Sequence, residues 1–170
     1  MTTSPLARIL VCFDGSMLAR RACTLALEIA ARFQSEVTVA TVFPQVHGRS
    51  EPLLQSLVPI SEDGKTLAHL FDDLQEEAKK LGVSKVHIVY LEGDAVDALT
   101  EFLEHHHQDL VVVGSRGLSR GRRLLLGSVS TELVQRAPAP ILVVRPGKER
   151  PRRTEPPAAH EPHRKADGAA

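Results

Sequence analysis

Short apolar runs alternate with amphipathic stretches along most of the chain. Five of these runs are four to seven residues long and rich in aliphatic side chains, many of them β-branched, which is typical of strands buried in a sheet. They cover residues 9–13, 37–43, 86–90, 110–113 and 141–145. We predict a β-strand at each of them.

Between the runs, apolar residues recur at spacings of three and four, as on one face of a helix. The sets are Ala19, Ala22, Cys23, Ala26, Ile29, Ala30 and Phe33; then Leu67, Leu70, Phe71, Leu74, Ala78 and Leu81; then Val96, Leu99, Phe102 and Leu103. Ser16 and Asp94 stand where they would cap the first and third of these helices, and Gly82 stands where the second would end. A fourth helix is predicted over residues 128–137.

The order β-α-β-α-β-α-β-α-β predicts an α/β fold, an open five-stranded parallel sheet with helices on both faces. The first and fourth strands are expected to be neighbours at the point where the strand order reverses. Because ligands of such sheets bind at the carboxyl ends of the strands, Asp14 and the loop at Gly114 should meet at a ligand-binding crevice.

A glycine-rich turn lies between the fourth strand and the fourth helix. Gly114, Gly117 and Gly127 have the spacing G-x2-G-x9-G, and Ser128 follows the last of them. Gly114 and Gly117 can adopt positive φ and let backbone N–H groups approach phosphate oxygens, while Gly127 and Ser128 can begin a helix whose positive end faces the same anion. Because this spacing arises by chance at about 4 in 100,000 positions, a set of unrelated turn glycines is the weaker interpretation. The turn predicts a phosphate-binding cradle.

Two other phosphate-binding loops do not fit the chain. It has no G-x-x-x-x-G-K-[S/T] sequence and therefore no P-loop lysine for the terminal phosphates, and no G-x-G-x-x-G follows the first strand. Both motifs are common in enzymes, so the enzyme interpretations that depend on them lose support.

Composition limits the partners and the compartment. The chain has 170 residues, of which 21 are basic and 21 acidic, so its net charge gives no general attraction to nucleic acid or to an anionic membrane. No apolar run approaches the ~20 residues of a membrane span, and Asp14 interrupts the first run before it reaches the length of a secretory signal. We expect a cytoplasmic protein with no membrane or nucleic-acid partner, in which Cys12 and Cys23 are buried, reduced thiols.

Three segments are harder to assign. Residues 44–59 lack periodicity and are predicted only as a loop. His105, His106 and His107 are adjacent and cannot all face one way on a helix, so a solvated helix end is favoured over a metal site. The last 25 residues contain five of the eleven prolines and no Val, Ile, Leu, Met or Phe. We expect a folded domain over residues 1–146 and a disordered tail over residues 147–170.

Several segments together resemble the universal stress protein family, in its nucleotide-binding branch. They are I-L-V-C-F-D-G-S at the first strand, V-V-V-G-S-R-G-L-S and L-L-L-G-S-V-S around the glycine turn, and A-P-A-P-I-L-V-V-R-P at the last strand. The resemblance covers residues 6–146 and is weak over residues 44–65. It implies the strand order 3-2-1-4-5, a homodimer, and ATP with Mg²⁺ as the bound cofactor. The apolar fifth strand, at the edge of the sheet, is where we expect two copies to pair.

The resemblance also implies which residues hold the adenine nucleotide. Asp14 and Val42 would line the adenine and ribose end. The loop would begin at Val113 and Gly114, and Arg116 and Gly117 would lie along the phosphates. N–H and hydroxyl donors at the start of the fourth helix would come from Gly127, Ser128, Val129 and Ser130. Arg122 and Arg123 carry nearby positive charges. The direction of their side chains is not assigned, and exposure to solvent is the simpler interpretation for both.

The function implied is that of a regulatory, stress-response module that binds ATP and hydrolyses little or none of it. Hydrolysis needs a positioned general base and charge stabilisation on the leaving phosphate, and Asp14 is the only acid that the sequence places at the site. Slow Mg²⁺-dependent ATPase activity is one alternative. A role through protein–protein contacts alone is the other.

Two rival interpretations, the first of them a fold of the same topology, do not match. A phospho-acceptor receiver domain would need an acidic pair after the first strand, an aspartate after the third and a lysine after the fifth. This chain has one acid, Asp14, at the first place, and Tyr90-Leu91 and Arg145-Pro146 at the other two. A nucleotide-activating pyrophosphatase of the S-G-G-x-D-S type would need glycines that are missing before Asp14.

Overall fold

The computed structural model describes residues 4–44, 61, 63–117 and 127–147. Strands and helices alternate along them: β1 (Arg8–Cys12), α1 (Met17–Phe33), β2 (Glu36–Phe43), α2 (Leu67–Lys80), β3 (Val86–Glu92), α3 (Ala95–His105), β4 (Leu110–Gly114), α4 (Ser128–Arg136) and β5 (Ile141–Val144). All neighbouring strands are parallel, in the order β3-β2-β1-β4-β5. The predicted fold class and strand order are therefore confirmed, and the predicted element ends differ from the observed ones by one or two residues.

The central strand β1 has neighbours on both sides and helices on both faces. Cys12 pairs in register with Ala40 of β2 and with Val113 of β4, so the carboxyl ends of these three strands lie side by side. The side chains from Ile9 to Cys12 are all buried. A strand enclosed in this way has no polar face, which explains its uninterrupted apolar sequence.

Two hydrophobic clusters fill the two faces of the sheet. On one face, Ile9 and Val11 of β1 pack with the apolar stripes of α1 and α2. On the other face, Leu10 and Cys12 pack with Leu99 and Leu103 of α3 and with Leu133 of α4. Successive side chains of a strand point to opposite faces, so β1 contributes to both clusters.

The amino-terminal part of α1 lies unusually close to the end of β4. The buried stripe of α1 contains four alanines, Ala19, Ala22, Ala26 and Ala30. A Cβ built on Gly114 would stand 3.0 Å from the backbone carbon of Leu18. Small side chains on both elements therefore bring the start of α1 against the carboxyl end of β4, where the predicted crevice lies.

The predicted helix ends are largely confirmed, with two differences in burial. Ser16 and Asp94 cap α1 and α3, and Gly82 follows α2 with a φ of +76°. Phe33 and Leu81 had been assigned to buried stripes, but they are 40% and 38% exposed. Phe33 is the last residue of α1 and Leu81 lies just beyond the end of α2, so both stand at helix ends, where less of the neighbouring structure covers them.

The remaining sequence predictions concern the three adjacent histidines, membrane spans, the loop over residues 44–59 and the tail. His105, His106 and His107 are exposed at the end of α3, and the ring of His106 stacks on Phe102 with a centroid distance of 4.2 Å. None of the helices in the described ranges is long and apolar enough to span a bilayer. Apart from Pro44 and Gly147, the predicted loop over residues 44–59 and the tail over residues 147–170 lie outside the described residues, as do Arg122 and Arg123.

Candidate functional site

A cavity of about 270 Å³ opens at the carboxyl ends of β1, β2 and β4, between the starts of α1, α3 and α4. All ten residues that the sequence assigned to a ligand line it. They are Asp14, Val42, Val113, Gly114, Arg116, Gly117, Gly127, Ser128, Val129 and Ser130. The structure thus brings together residues from β1, β2, the end of β4 and the start of α4. The expected meeting of Asp14 with the glycine turn is confirmed.

One end of the cavity is apolar and built from small side chains. Its walls include Cys12 and Ala40, which are neighbours in register, and Leu99 and Ala95 of α3. Val42 lies on the same strand face as Ala40, two residues further along β2. Such a lining suits a flat, uncharged group.

The opposite end of the cavity is rich in polar groups and backbone. It contains the Asp14 carboxylate, Arg116, the glycine turn, and Ser128 at the first position of α4. Arg116 is half-buried and Ser128 is exposed. The two ends together fit a ligand that is flat and apolar on one side and anionic on the other.

Close neighbouring groups leave no room for a side chain at Gly114 and Gly117. The sequence argument gave Gly114 and Gly117 positive φ, but the positive-φ glycines among the described residues are Gly15, Gly64, Gly82 and Gly93. A Cβ on Gly117 would stand 2.3 Å from Oδ2 of Asp14, and a Cβ on Gly114 would press on the backbone of α1. The expected positive φ is therefore wrong, because the constraint at both positions comes from neighbouring groups.

Asp14 is oriented by the backbone that follows it. Its Oδ1 accepts a hydrogen bond of 3.0 Å from the N–H of Ser16, and the Ser16 hydroxyl in turn accepts one of 3.2 Å from the N–H of Ala19. These bonds hold one carboxylate oxygen toward the start of α1. They leave Oδ2 beside Gly117, at the rim of the cavity.

The starts of the helices differ in how their backbone N–H groups are satisfied. In α3, Oδ1 of Asp94 accepts from the N–H groups of Val96 and Asp97, at 2.9 and 3.2 Å. Side chains also cap α1 and α2, at Ser16 and Thr66. Of the four helices that the structure describes, α4 is the one whose N-cap residue, Gly127, provides no side-chain acceptor.

The uncapped start of α4 opens into the cavity. Its first helical hydrogen bond runs from the N–H of Thr131 to the carbonyl of Gly127, at 3.0 Å. The N–H groups of Ser128, Val129 and Ser130 therefore precede the helical ladder and have no partner within it. Three such donors, at the positive end of the helix dipole, are an arrangement suited to receive an anion.

The two ends of the glycine turn are joined by hydrogen bonds. The carbonyl of Ser115 accepts from the N–H of Gly127 at 2.6 Å and from the hydroxyl of Ser130 at 3.3 Å. The Ser130 hydroxyl also lies 3.1 Å from the carbonyl of Gly127. Ser130 is only 2% exposed, and both of these acceptors for its hydroxyl lie inside the protein; the family resemblance implies that the same hydroxyl faces the ligand.

Cys12 forms part of the cavity wall as a neutral thiol. Burial raises its pKa from the ordinary value of 9.0 to about 12, and the nearby charge of Asp14 adds to the rise. Burial also raises the pKa of Cys23, the second free thiol. Both thiols are buried, as the sequence predicted.

Sequence reasoning missed several residues that line the cavity, among them Ala40, Ala95 and Leu99. Ala40 could have been found, because it lies two residues before Val42 and so on the same face of β2. Ala95 follows the predicted cap Asp94 directly, at a helix start on the crevice side of the sheet. Within the described residues, no group of three or more His, Cys, Asp or Glu side chains could hold a metal ion.

The sequence profile described as the universal stress protein family matches residues 6–145. The chain belongs to the universal stress protein family. The match covers every described strand and helix, including the glycine turn and the start of α4. The family resemblance found in the sequence is therefore confirmed.

Individual members of the universal stress protein family are similar over most of the chain. Universal stress protein MJ0531 of Methanocaldococcus jannaschii is 32% identical over 148 residues, which cover 84% of each chain. A crystal structure of a universal stress protein in complex with cAMP is 27% identical, with a TM-score of 0.64, and covers 83% of this chain and 98% of that one. The universal stress protein UspA from Lactobacillus plantarum is 26% identical, with a TM-score of 0.63, and covers 82% and 98%.

Proposed function

We propose that the protein binds an adenine nucleotide, ATP with Mg²⁺, in the cavity between Asp14 and α4, and that it acts as a nucleotide-dependent regulatory module with little or no hydrolysis. The apolar end at Ala40 and Val42 would receive the adenine ring. The glycine turn and the start of α4 would receive the phosphates. The proposed location in the cytoplasm accords with this ligand.

The uncapped start of α4 is the observation that carries the proposal. The other two helices that begin at the cavity have side-chain caps, which accept from the N–H of Ala19 in α1 and from those of Val96 and Asp97 in α3. At the start of α4 no side chain caps the helix, so the N–H groups of Ser128, Val129 and Ser130 can all donate to an anionic ligand. Gly117 permits such a ligand to approach, because a side chain there would occupy the space beside Asp14.

A solved relative supports the class of ligand. The universal stress protein that is 27% identical to this chain was crystallised in complex with cAMP, which combines an adenine base with a phosphate. The flat apolar end and the anion-binding end of the cavity match these two parts. The choice of ATP over other adenine nucleotides rests on the glycine spacing G-x2-G-x9-G and on the serine that follows it.

The donor set fits Mg²⁺ only when it arrives with phosphates. Asp14 is the one carboxylate that lines the cavity among the described residues, and one carboxylate is too few for a protein-only cage. Mg²⁺ commonly keeps water ligands and binds through one or two carboxylates together with substrate phosphates. Asp14 is the residue that would hold the ion, and the ion would offset the charge of the phosphates.

Slow turnover follows from the chemistry of the lining. In-line attack of water on the γ-phosphate requires a group that orients or deprotonates the water. Asp14 is the only acid or base with that capacity in the described part of the cavity wall, and its Oδ1 already accepts from Ser16. The proposed role is therefore to hold the nucleotide rather than to consume it.

The test begins with the purified protein. Denaturing it and separating the released small molecules by chromatography identifies any co-purified nucleotide. Calorimetric titrations with ATP, ADP, AMP and cAMP, each with and without Mg²⁺, then rank the ligands, and a phosphate-release assay measures turnover. We expect ATP with Mg²⁺ to bind most tightly and phosphate release to be slow. Binding by none of the four would refute the proposal, tighter binding of AMP or cAMP would refute the choice of ATP, and rapid release would make the protein an ATPase.

A further inference from the structure

The Ser130 hydroxyl lies inside the protein, although its residue lines the cavity. It is within hydrogen-bond distance of two carbonyl oxygens, that of Ser115 at 3.3 Å and that of Gly127 at 3.1 Å. A serine hydroxyl has one proton, so a hydrogen bond to either carbonyl takes up the only donor of Ser130. At 2% exposure, the side chain would have to turn away from both carbonyls to donate to a ligand.

The Ser130 hydroxyl connects the start of α4 to Ser115. The Ser115 N–H donates to the carbonyl of Val144 in β5, at 2.7 Å, and its carbonyl accepts from the N–H of Gly127, at 2.6 Å. Ser115 itself is fully buried. The start of α4 is thereby fixed to the ends of β4 and β5, across a turn of which residues 118–126 lie outside the described residues.

Neighbouring hydroxyls have different positions. The Thr131 hydroxyl donates to the carbonyl of Gly127 at 2.8 Å, which fastens the first turn of α4 to its own N-cap residue. Ser128 is exposed at the first position of the helix and lines the cavity. Ser130 is the one of the three whose hydroxyl reaches across to Ser115.

We propose that Ser130 is a positioning residue for the anion-binding end of α4, and that its hydroxyl holds Gly127 against Ser115 instead of contacting the bound phosphate. The proposal rests on the proposed nucleotide site. The Ser130 hydroxyl sets the direction of the N–H groups at the start of α4. Its removal weakens the binding of phosphate-bearing ligands by loosening the helix start before any ligand arrives.

The test compares Ser130→Ala with Ser130→Thr, which keeps a hydroxyl, and with Ser128→Ala, which removes a hydroxyl at the cavity itself. Amide hydrogen exchange of Gly127 is followed by NMR in the ligand-free proteins. Calorimetry then gives the affinities for ATP and for adenosine, which lacks phosphates. A thermal melt of each variant confirms that the sheet is folded.

For Ser130→Ala we expect faster hydrogen exchange at the Gly127 amide without ligand. ATP should bind about five-fold more weakly to this variant, while adenosine should bind as it does to the wild type. Ser130→Thr should restore both the slow exchange and the ATP affinity. Ser128→Ala should weaken ATP binding with Gly127 exchange unchanged. Unchanged exchange in Ser130→Ala would make Ser130 a direct ligand or a bystander and overturn the proposal. Faster exchange with an unchanged ATP-to-adenosine affinity ratio would make its role merely structural and also overturn it. Failure of the wild type to bind ATP or adenosine would instead refute the nucleotide site, and the positioning role with it.

Discussion

The Asp14 carboxylate lies directly against the backbone of Gly117, so closely that a Cβ on Gly117 would stand 2.3 Å from Asp14 Oδ2. Real Cβ atoms do not approach another heavy atom to this distance. Even an alanine would therefore require the carboxylate or the turn to move. Because Asp14 is also bonded to the start of α1 through Ser16, the adjustment falls mainly on the turn that forms the phosphate end of the cavity.

Gly117→Val should reduce ATP affinity by more than about tenfold. The valine side chain overlaps with Asp14 and fills the space that phosphate oxygens need, and overpacking of this kind costs about 1–3 kcal/mol. Gly117 is exposed and lies beyond the end of β4, so the sheet should stay folded. Calorimetric titration measures the affinity, and circular dichroism reports on the fold.

Gly147→Val is the matched control for that substitution. A Cβ on Gly147 would stand 3.1 Å from the guanidinium of Arg21, which is the mobile end of a flexible side chain, and Gly147 does not line the cavity. This variant should bind ATP like the wild type. Equal ATP affinity in the wild type and in Gly117→Val would show that the turn does not hold the phosphates.

The β5 strand ends the sheet with an apolar edge. The carbonyl of Pro140 accepts a hydrogen bond from the N–H of Val111 in β4, and the carbonyl of Val144 accepts one from the N–H of Ser115, which follows β4. The backbone groups of Pro140 and Val144 therefore point toward β4. Since successive residues of a strand direct their backbone groups to opposite sides, the N–H groups of Ile141 and Val143 point outward. Ile141, Leu142 and Val143 are only half-buried.

We predict that two copies pair through β5, and that Val143→Pro converts the dimer into a monomer. Proline removes the outward N–H of Val143 and leaves the groups that bond to β4 in place, which sheet edges tolerate. Light scattering at tens of micromolar, with nucleotide present, should give the wild type twice the 18.5 kDa mass of one chain. Val143→Ala, which loses the side chain and keeps the N–H, should remain dimeric. A monomeric wild type would sink the prediction.

The features that sequence alone could predict are those set by local chemistry. The inner strand β1 is buried on both faces from Ile9 to Cys12, and its uninterrupted apolar run makes it easy to recognise in the sequence. Asp94 caps α3 through an interaction that spans three residues, so a short window of sequence contains it. The spacing of Gly114, Gly117 and Gly127 marked the cavity because all three belong to one connection between a strand and a helix.

The features that escaped prediction depend on groups distant in the chain. Gly117 is constrained by Asp14, about a hundred positions earlier, so the reason for its glycine could not be obtained from the turn itself. The hydrogen bond from the Ser130 hydroxyl to the carbonyl of Ser115 could not be predicted either, because the two groups come together only when the turn is folded.

The tail should be dispensable for folding and for nucleotide binding. Residues 147–170 contain no Val, Ile, Leu, Met or Phe, so they have little apolar surface to bury against the domain. A variant that ends at Pro146 should melt within a degree or two of the full chain and bind ATP with the same affinity. Differential scanning calorimetry and titration measure both. A melting temperature several degrees lower would mean that the tail packs on the domain.

The raised pKa of Cys12 predicts a loss of stability in alkali. Below pH 9.0 the thiol is protonated in both the folded and the unfolded chain, so it adds no pH dependence. Above that value the unfolded chain releases the proton while the folded protein retains it until about pH 12, and the free energy of unfolding therefore falls as the pH rises. Cys12 alone should account for a decrease on the order of 1 kcal/mol between pH 7 and pH 10.

Urea unfolding of the wild type and of Cys12→Ala, each at pH 7 and at pH 10, isolates this contribution. Cys23, whose pKa is raised in the same direction by burial, and the other alkaline groups are present in both proteins, so their effects cancel in the comparison. The decrease from pH 7 to pH 10 should be smaller in Cys12→Ala by on the order of 1 kcal/mol, whatever the substitution itself costs at pH 7. Equal decreases in the two proteins would mean that the Cys12 thiol ionises in the folded state near its ordinary pKa, and that the apolar end of the cavity admits water.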